Sequence, residues 1–397
     1  MRSIKILREK LAEGFDFLHV RRQDALWRGV DALMVGGRLW LTALGRDMRG
    51  GALEKHRIKA ADRLLGNQAL QAGLVQMYRA LAAWLLRRMP RPVLLVDWTA
   101  CGTGHYLLRA GVPFVGRSIL LYGRVVPKSK LANRAVHREF LQTLAAIVPP
   151  QCRPVIVTDA GFHQHWFGQV LQLGWHFVGR IRGRHHVCFR GEKLTIKQLF
   201  PRASKRPADL GIVELGTNRP AQRRLVLSAK PKSKGRRGRL TQKGKPSRRG
   251  FERACARAAK EPWLLATSLT CSARDVVNIY ATRMQVEESF RDLKSHRFGW
   301  AFCSAKTADP RRTEVLLMIA TLASLALSLV GAAAERCHLQ RQFQANTLRK
   351  RRVLSLVTLG RRIVRTCVEI STHELRAALA AVQSTLEAAN PLQLQSG

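Results

Sequence analysis

The chain has 397 residues, more than one compact domain usually holds, so two or three domains with a substantial core are expected. Its 69 Lys and Arg against 26 Asp and Glu give a formal net charge of +43, far beyond what solubility needs, which points to a polyanionic partner, nucleic acid foremost. Eight cysteines lie singly, with no CxxC pair, which argues against a zinc site or a disulfide framework and fits a reducing cytoplasm.

The opening MRSIKILREKLAEGF has basic residues but no continuous apolar stretch or small-residue cleavage pattern, so no secretory signal is read there. Residues 1–88 have helical periodicity, broken at Gly36, Gly37 and Gly45, and predict a small helical domain. Within it, KHRIKAADRLLGN gathers Lys55, His56, Arg57, Lys59 and Arg63 ahead of an apolar helix running from about Leu70 to Leu86. Phosphate contact and a solvated basic helix face suit that spacing equally.

From Arg91 the pattern changes. PVLLVDW, HYLLRAGV and FVGRSILLYGRVVP predict three successive strands joined by Gly-containing turns. A helix over residues 133–147 follows, then a buried strand in RPVIVTDAGF, a helix over residues 163–171 and a strand in WHFVGRIR. Three hairpin strands, a helix and a further strand, with two aspartates at strand ends, is the order of a ribonuclease-H-like sheet. The expected fold is therefore α/β, a ribonuclease-H-like mixed sheet flanked by helices, begun by residues 89–183 and resumed by residues 263–345.

Residues 184–262 predict a β-rich basic insertion that culminates in KPKSKGRRGRLTQKGKPSRRG, residues 230–250, where no acid interrupts the cations. Such a block cannot fold by itself; a DNA-backbone clamp and a disordered spacer are both open readings. WLLATSL resumes strand character, residues 273–296 are expected to form one helix, and the chain from Pro310 on is helical, with residues 346–397 as a C-terminal helical region. Residues 315–334, VLLMIATLASLALSLVGAAA, are long enough to span a bilayer. Their Thr, Ser and many Ala favour a buried core helix instead, and no membrane partner is expected.

A buried carboxylate is costly unless paired or metal-bound. In a chain this poor in acids, Asp97 after Val93-Leu94-Leu95-Val96 and Asp159 after Val155-Ile156-Val157-Thr158 are therefore candidate metal ligands. Capping the next helix or starting a turn is the alternative for each. Cutting and joining DNA needs in-line attack at phosphorus, with charge developing on both the entering and leaving oxygens, and two metal ions roughly 3.5–4 Å apart stabilise both. Mg2+ is hard and octahedral and takes carboxylate oxygens. A third acid, Glu287, lies in YATRMQVEESFRDLK, where Tyr280, Arg283, Glu287, Arg291 and Lys294 fall on one face of a continuous helix. An exposed salt-bridge ladder and a metal ligand flanked by phosphate-gripping cations both fit that stripe. His163, His165, His185 and His186 lack partners at metal-ligand spacing and are expected on loop or helix surfaces.

The run Y-x2-R-x3-E-x6-K at Tyr280, Arg283, Glu287 and Lys294 resembles the signature of the DDE insertion-sequence transposases of the IS-four family. VDWT and VTDAGF resemble that family's two aspartate motifs, and KHRIKAADRLLGN resembles its N-terminal DNA-binding region; the likeness runs from about residue 50 to 300. It implies that Asp97, Asp159 and Glu287 are catalytic and hold two Mg2+ ions, with Mn2+ as a substitute. It implies end phosphates bound by Tyr280, Arg283 and Lys294, with Arg291 on the same stripe. The basic residues around Lys55 would contact DNA. Trp263, beginning the strand before the signature helix, stands where hairpin-forming relatives hold a flipped base, although strand tryptophans are usually core residues. The implied activity is cut-and-paste transposition through a hairpin intermediate, by a homodimer on paired double-stranded DNA ends, in the bacterial cytoplasm. A nuclease of the same fold that cuts without joining, and a non-catalytic basic DNA-binding protein, are the alternatives.

Overall fold

The computed structural model describes residues 1–102, 104–217, 220–229, 260–305, 307–345, 348 and 351–392, and shows a mixed α/β protein. The basic block at residues 230–250 lies outside the described residues. The chain forms two compact units, Met1–Val155 with Thr282–Gly397, and Ile156–Ala281.

The first unit begins with the helices Arg2–Phe15, Val20–Gly36, Leu41–Asp47, Glu54–Leu65 and Gln68–Leu85. Gly37, at φ 71°, ends the second by turning left-handed and returning its N–H to the Leu33 carbonyl at 2.9 Å. Asn67 starts the helix Gln68–Leu85 by accepting the Leu70 N–H at 2.9 Å. The strands β1 (Val93–Cys101), β2 (His105–Phe114) and β3 (Arg117–Pro127) then form an antiparallel meander in the order β3-β2-β1. Eight consecutive residues of β2 are buried, so both of its faces are covered. The helix Arg134–Ile147 follows, started by the Asn133 side chain.

The segment long and apolar enough to cross a membrane is the helix Pro310–Arg336, and 89% of its most apolar stretch is buried in the protein. Asp309 caps it through the Arg311 N–H at 2.8 Å, and Pro310 occupies the first turn, where its missing N–H costs nothing. The helix packs on β3, on Val20–Gly36 and on the later helix Leu356–Arg365. That last contact is backbone on backbone: a Cβ on Gly331 would collide with the Leu356 carbonyl, and one on Gly360 with the Leu327 carbonyl. The helices Thr372–Ala380 and Val382–Ala389 complete the unit.

The second unit holds β4 (Val155–Thr158), β5 (His176–Arg180), β6 (His186–Phe189), β7 (Glu192–Thr195), β8 (Ala208–Leu215), β9 (Ala221–Ser228) and β10 (Trp263–Thr267), hydrogen-bonded in the order β4-β5-β10-β9-β8-β6-β7. All five residues of β10 are buried, as a strand paired antiparallel on both sides requires. The helix Gln164–Gln172 closes onto β5 at Gly179, where any Cβ would enter the Phe167 ring.

One expectation is corrected. Residues 273–296 form two helices, Ala273–Ala281 and Met284–Lys294, broken at Thr282 and Arg283. The Gln285 and Val286 N–H groups reach back three residues, to Thr282 and Arg283, at 2.9 and 3.0 Å, so the ladder tightens into a turn. No Pro or Gly marks the break, which falls where the chain passes from one unit to the other.

Candidate active site

β1 carries Asp97 after a dry run, Val93 to Val96 being wholly buried and Asp97 8% exposed; the strand continues to Cys101, so Asp97 stands in mid-strand and not at the strand end expected from the sequence. The Asp97 carboxylate uses Oδ1 to accept the Trp98 N–H at 2.8 Å and Oδ2 to accept Arg283 Nη1 at 3.1 Å, across 186 positions of chain. Arg283 turns its other terminal nitrogen to Glu287 Oε1, at 2.8 Å. A single guanidinium thus bridges two carboxylates through charge-assisted bonds. Asp97 and Glu287 deliver carboxylate oxygens to one cationic group, which is also the donor chemistry a hard divalent cation takes.

Lys294 reaches the same strand, its Nζ donating to Thr99 Oγ1. Thr99 lies two residues beyond Asp97 and so on the same face of β1. Burial pushes the Lys294 pKa down, with Asp97 among the groups that oppose the shift. Arg291 stands on the outer side of its helix, exposed and bonded to Glu288 Oε2 at 2.8 Å.

The helix Met284–Lys294 is fastened to the start of β3 by residues that sequence reasoning passed over. Ser289 Oγ accepts the Ser118 N–H at 2.7 Å, and the Asp292 carboxylate takes Arg117 Nε at 2.5 Å and Nη2 at 3.4 Å. Burial raises the Asp292 pKa, and Arg117 pulls it back. Ser289 and Asp292 sit three apart beside the signature stripe, and that spacing was the available signal.

In the second unit Asp159 directly follows β4, and its Oδ1 accepts the Gly161 N–H at 2.8 Å in a tight turn ahead of the helix Gln164–Gln172. Tyr280 and Trp263 are 3% and 6% exposed and meet edge to face, ring centroids 4.9 Å apart. Tyr280 also hydrogen-bonds Arg180, a buried side chain that donates to the Glu261 carbonyl at 3.2 Å. Both aromatic residues therefore stand in the core of this unit, while Arg283, Glu287, Arg291 and Lys294 belong to the other. His163 and His185 lie 6.1 Å apart, and burial lowers the His185 pKa. Among the described residues no group of three or more His, Cys, Asp or Glu is arranged to hold a metal ion.

On the helix Glu54–Leu65, Lys55, His56, Lys59 and Arg63 are exposed. Arg57 is half-buried and donates to the Met48 carbonyl at 2.9 Å, so it fastens the helix to the preceding loop.

A family model described as "Transposase DDE domain" matches residues 88–325. No match to a curated protein accompanies it. Among solved structures, a piggyBac transposase synaptic complex with hairpin DNA is similar with a TM-score of 0.42 and 11% identity, over 94% of this chain and 77% of that one.

Proposed function

The chain belongs to the transposase DDE-domain family, and from that premise we propose that it cuts an insertion sequence free at its DNA ends and joins it to a new site. Asp97, Asp159 and Glu287 are the catalytic carboxylates on this reading. The observation that carries it is the meeting of Asp97 and Glu287 on one guanidinium. Their oxygens fit Mg2+, or Mn2+ in its place, and bound divalent ions would supply charge stabilisation to an in-line displacement at phosphorus.

The protein's own groups do the rest. Arg283, set between the carboxylates, keeps two negative side chains together beside a buried strand, and its planar fork suits a phosphate oxygen pair as well. Lys294 holds an ammonium beside Asp97 for the backbone of the cleaved strand. Arg291, outermost on the same helix, would meet DNA farther along. Lys55, His56, Lys59 and Arg63 offer a second exposed basic face for the duplex, with Arg57 fastening it, and the net charge of +43 favours a nucleic acid partner at long range. The proposal extends to a ribonuclease-H-like arrangement of the catalytic strands, a hairpin intermediate, and a homodimer that handles two ends together.

The test uses full-length protein and a duplex carrying one element end. Asp97→Asn and Glu287→Gln should each lower Mg2+-dependent strand cleavage by about 1,000-fold, as the loss of several kcal/mol of charge stabilisation requires, while end binding changes little. Cleavage by either variant at the parent rate would sink the assignment. Strand-transfer products from the parent separate a transposase from a nuclease that only cuts.

A further inference from the structure

Arg109 is a cation in the middle of β2, 4% exposed. An arginine so deep is costly unless its hydrogens and charge are answered, and here Nε is buried without a hydrogen-bond partner. A cation held at this cost calls for a role that outweighs it. Strand register sets Arg109 opposite Asp97 on β1 and opposite Gly123 on β3. Directly opposed residues of antiparallel strands share a face, with Cβ atoms roughly 4.5–5.5 Å apart. Burial pushes the guanidinium down to about 10, and the Asp97 charge opposes that shift.

The guanidinium itself points toward the signature helix. Nη2 donates to the Ser118 carbonyl and to Ser118 Oγ, both at 3.0 Å, and the group lies over the Phe290 ring, 5.5 Å from its centroid. Ser118 is the residue whose N–H is held by Ser289. Gly111 makes the path possible, because a Cβ there would stand 2.8 Å from Arg109 Nη2. One buried side chain therefore faces Asp97 across a strand pair, braces the start of β3, and packs on the helix residue three beyond Glu287.

We propose that Arg109 is a positioning residue for the cleavage site, fixing Asp97 and the helix that bears Glu287 at one spacing without itself touching DNA or metal. The proposal rests on the DNA-cleaving reading above. Loss of a group that orients a metal's ligands typically costs about 10–100-fold in metal affinity or activity.

Full-length parent, Arg109→Lys and Arg109→Met are compared by Mn2+ binding in calorimetry without DNA, by thermal melting, and by the Mn2+ concentration giving half-maximal cleavage. Arg109→Lys keeps the charge and loses the fork; it should bind Mn2+ about 10-fold or more weakly and need correspondingly more Mn2+ for cleavage. Arg109→Met should weaken binding further. If Arg109→Lys does not fold, Ser118→Ala carries the test, with Mn2+ binding weakened roughly 2–10-fold for the lost hydroxyl acceptor. Variants that melt lower but bind Mn2+ as the parent does would make Arg109 a core residue only and overturn the proposal. A parent that neither binds Mn2+ nor cuts DNA would instead overturn the reading on which it rests.

Discussion

The two ends of the signature stretch live in different surroundings. At Tyr280 the chain is in the core of one unit, sealed against Trp263 and Arg180; three residues later, at Arg283, it is in the other unit, between the buried Asp97 and the half-buried Glu287. Tyr280 and Trp263 are placed by area burial and ring geometry, whereas Arg283 and Glu287 are placed by charge. Residues evenly spaced on a helical wheel need not share a task. The aromatic end should govern stability, and the charged end should govern catalysis.

The largest effect expected from that contrast is at Trp263. Truncation to Ala should cost about 3–5 kcal/mol in denaturant unfolding, as large aromatic deletions in cores do. A variant that unfolds like the parent but fails only in cutting would return Trp263 to the DNA. Next comes Arg283→Met, which leaves Asp97 and Glu287 repelling each other and should lower stability by about 1–3 kcal/mol. Added Mg2+ should raise the melting temperature of this variant more than that of the parent, because a divalent ion takes over the lost positive charge. Equal Mg2+ responses would deny that the carboxylates share a cation. Lys294→Met should leave melting nearly unchanged while lessening the slope of log affinity against log salt for end DNA by about one, the mark of a lost phosphate contact. An unaltered slope would confine Lys294 to its bond with Thr99.

The smallest effect tests the sheet edge. Glu314 accepts the Val125 N–H at 2.9 Å, and burial raises its pKa above the ordinary 4.5. A carboxyl group whose folded pKa is raised contributes stability that is fully present below its unfolded pKa and is lost as pH rises through the folded value. Glu314→Gln keeps an acceptor without the charge. Relative to the parent it should therefore gain stability as pH climbs from about 4 toward neutrality, and parallel melting curves across that range would contradict the sign.

Much of the site was legible because its causes are local. An apolar run ending in Asp reads as a buried strand with a carboxylate at its end; Asp159 does follow β4, whereas β1 continues past Asp97 to Cys101. The i, i+4 spacing of Arg283 and Glu287 likewise announces their bond. The break after Ala281 was hidden because no helix-breaking residue marks it; the turn at Thr282 and Arg283 falls where the chain leaves one unit for the other. The Arg117–Asp292 and Ser118–Ser289 fastenings join positions more than 170 apart, which no local pattern encodes. The membrane-length helix was told correctly as core by its small and hydroxylated residues, yet nothing local named its cover.

Part of that cover is the glycine-to-carbonyl seam between Pro310–Arg336 and Leu356–Arg365; β3 and Val20–Gly36 supply other parts. Ribosomes deliver the long helix first, so each nascent chain briefly presents a greasy rod before its lid is translated. A frameshift or premature stop in that interval would leave one flank of the rod bare, and the truncated product would be a target for aggregation or membrane insertion in place of a quiet, inactive fragment.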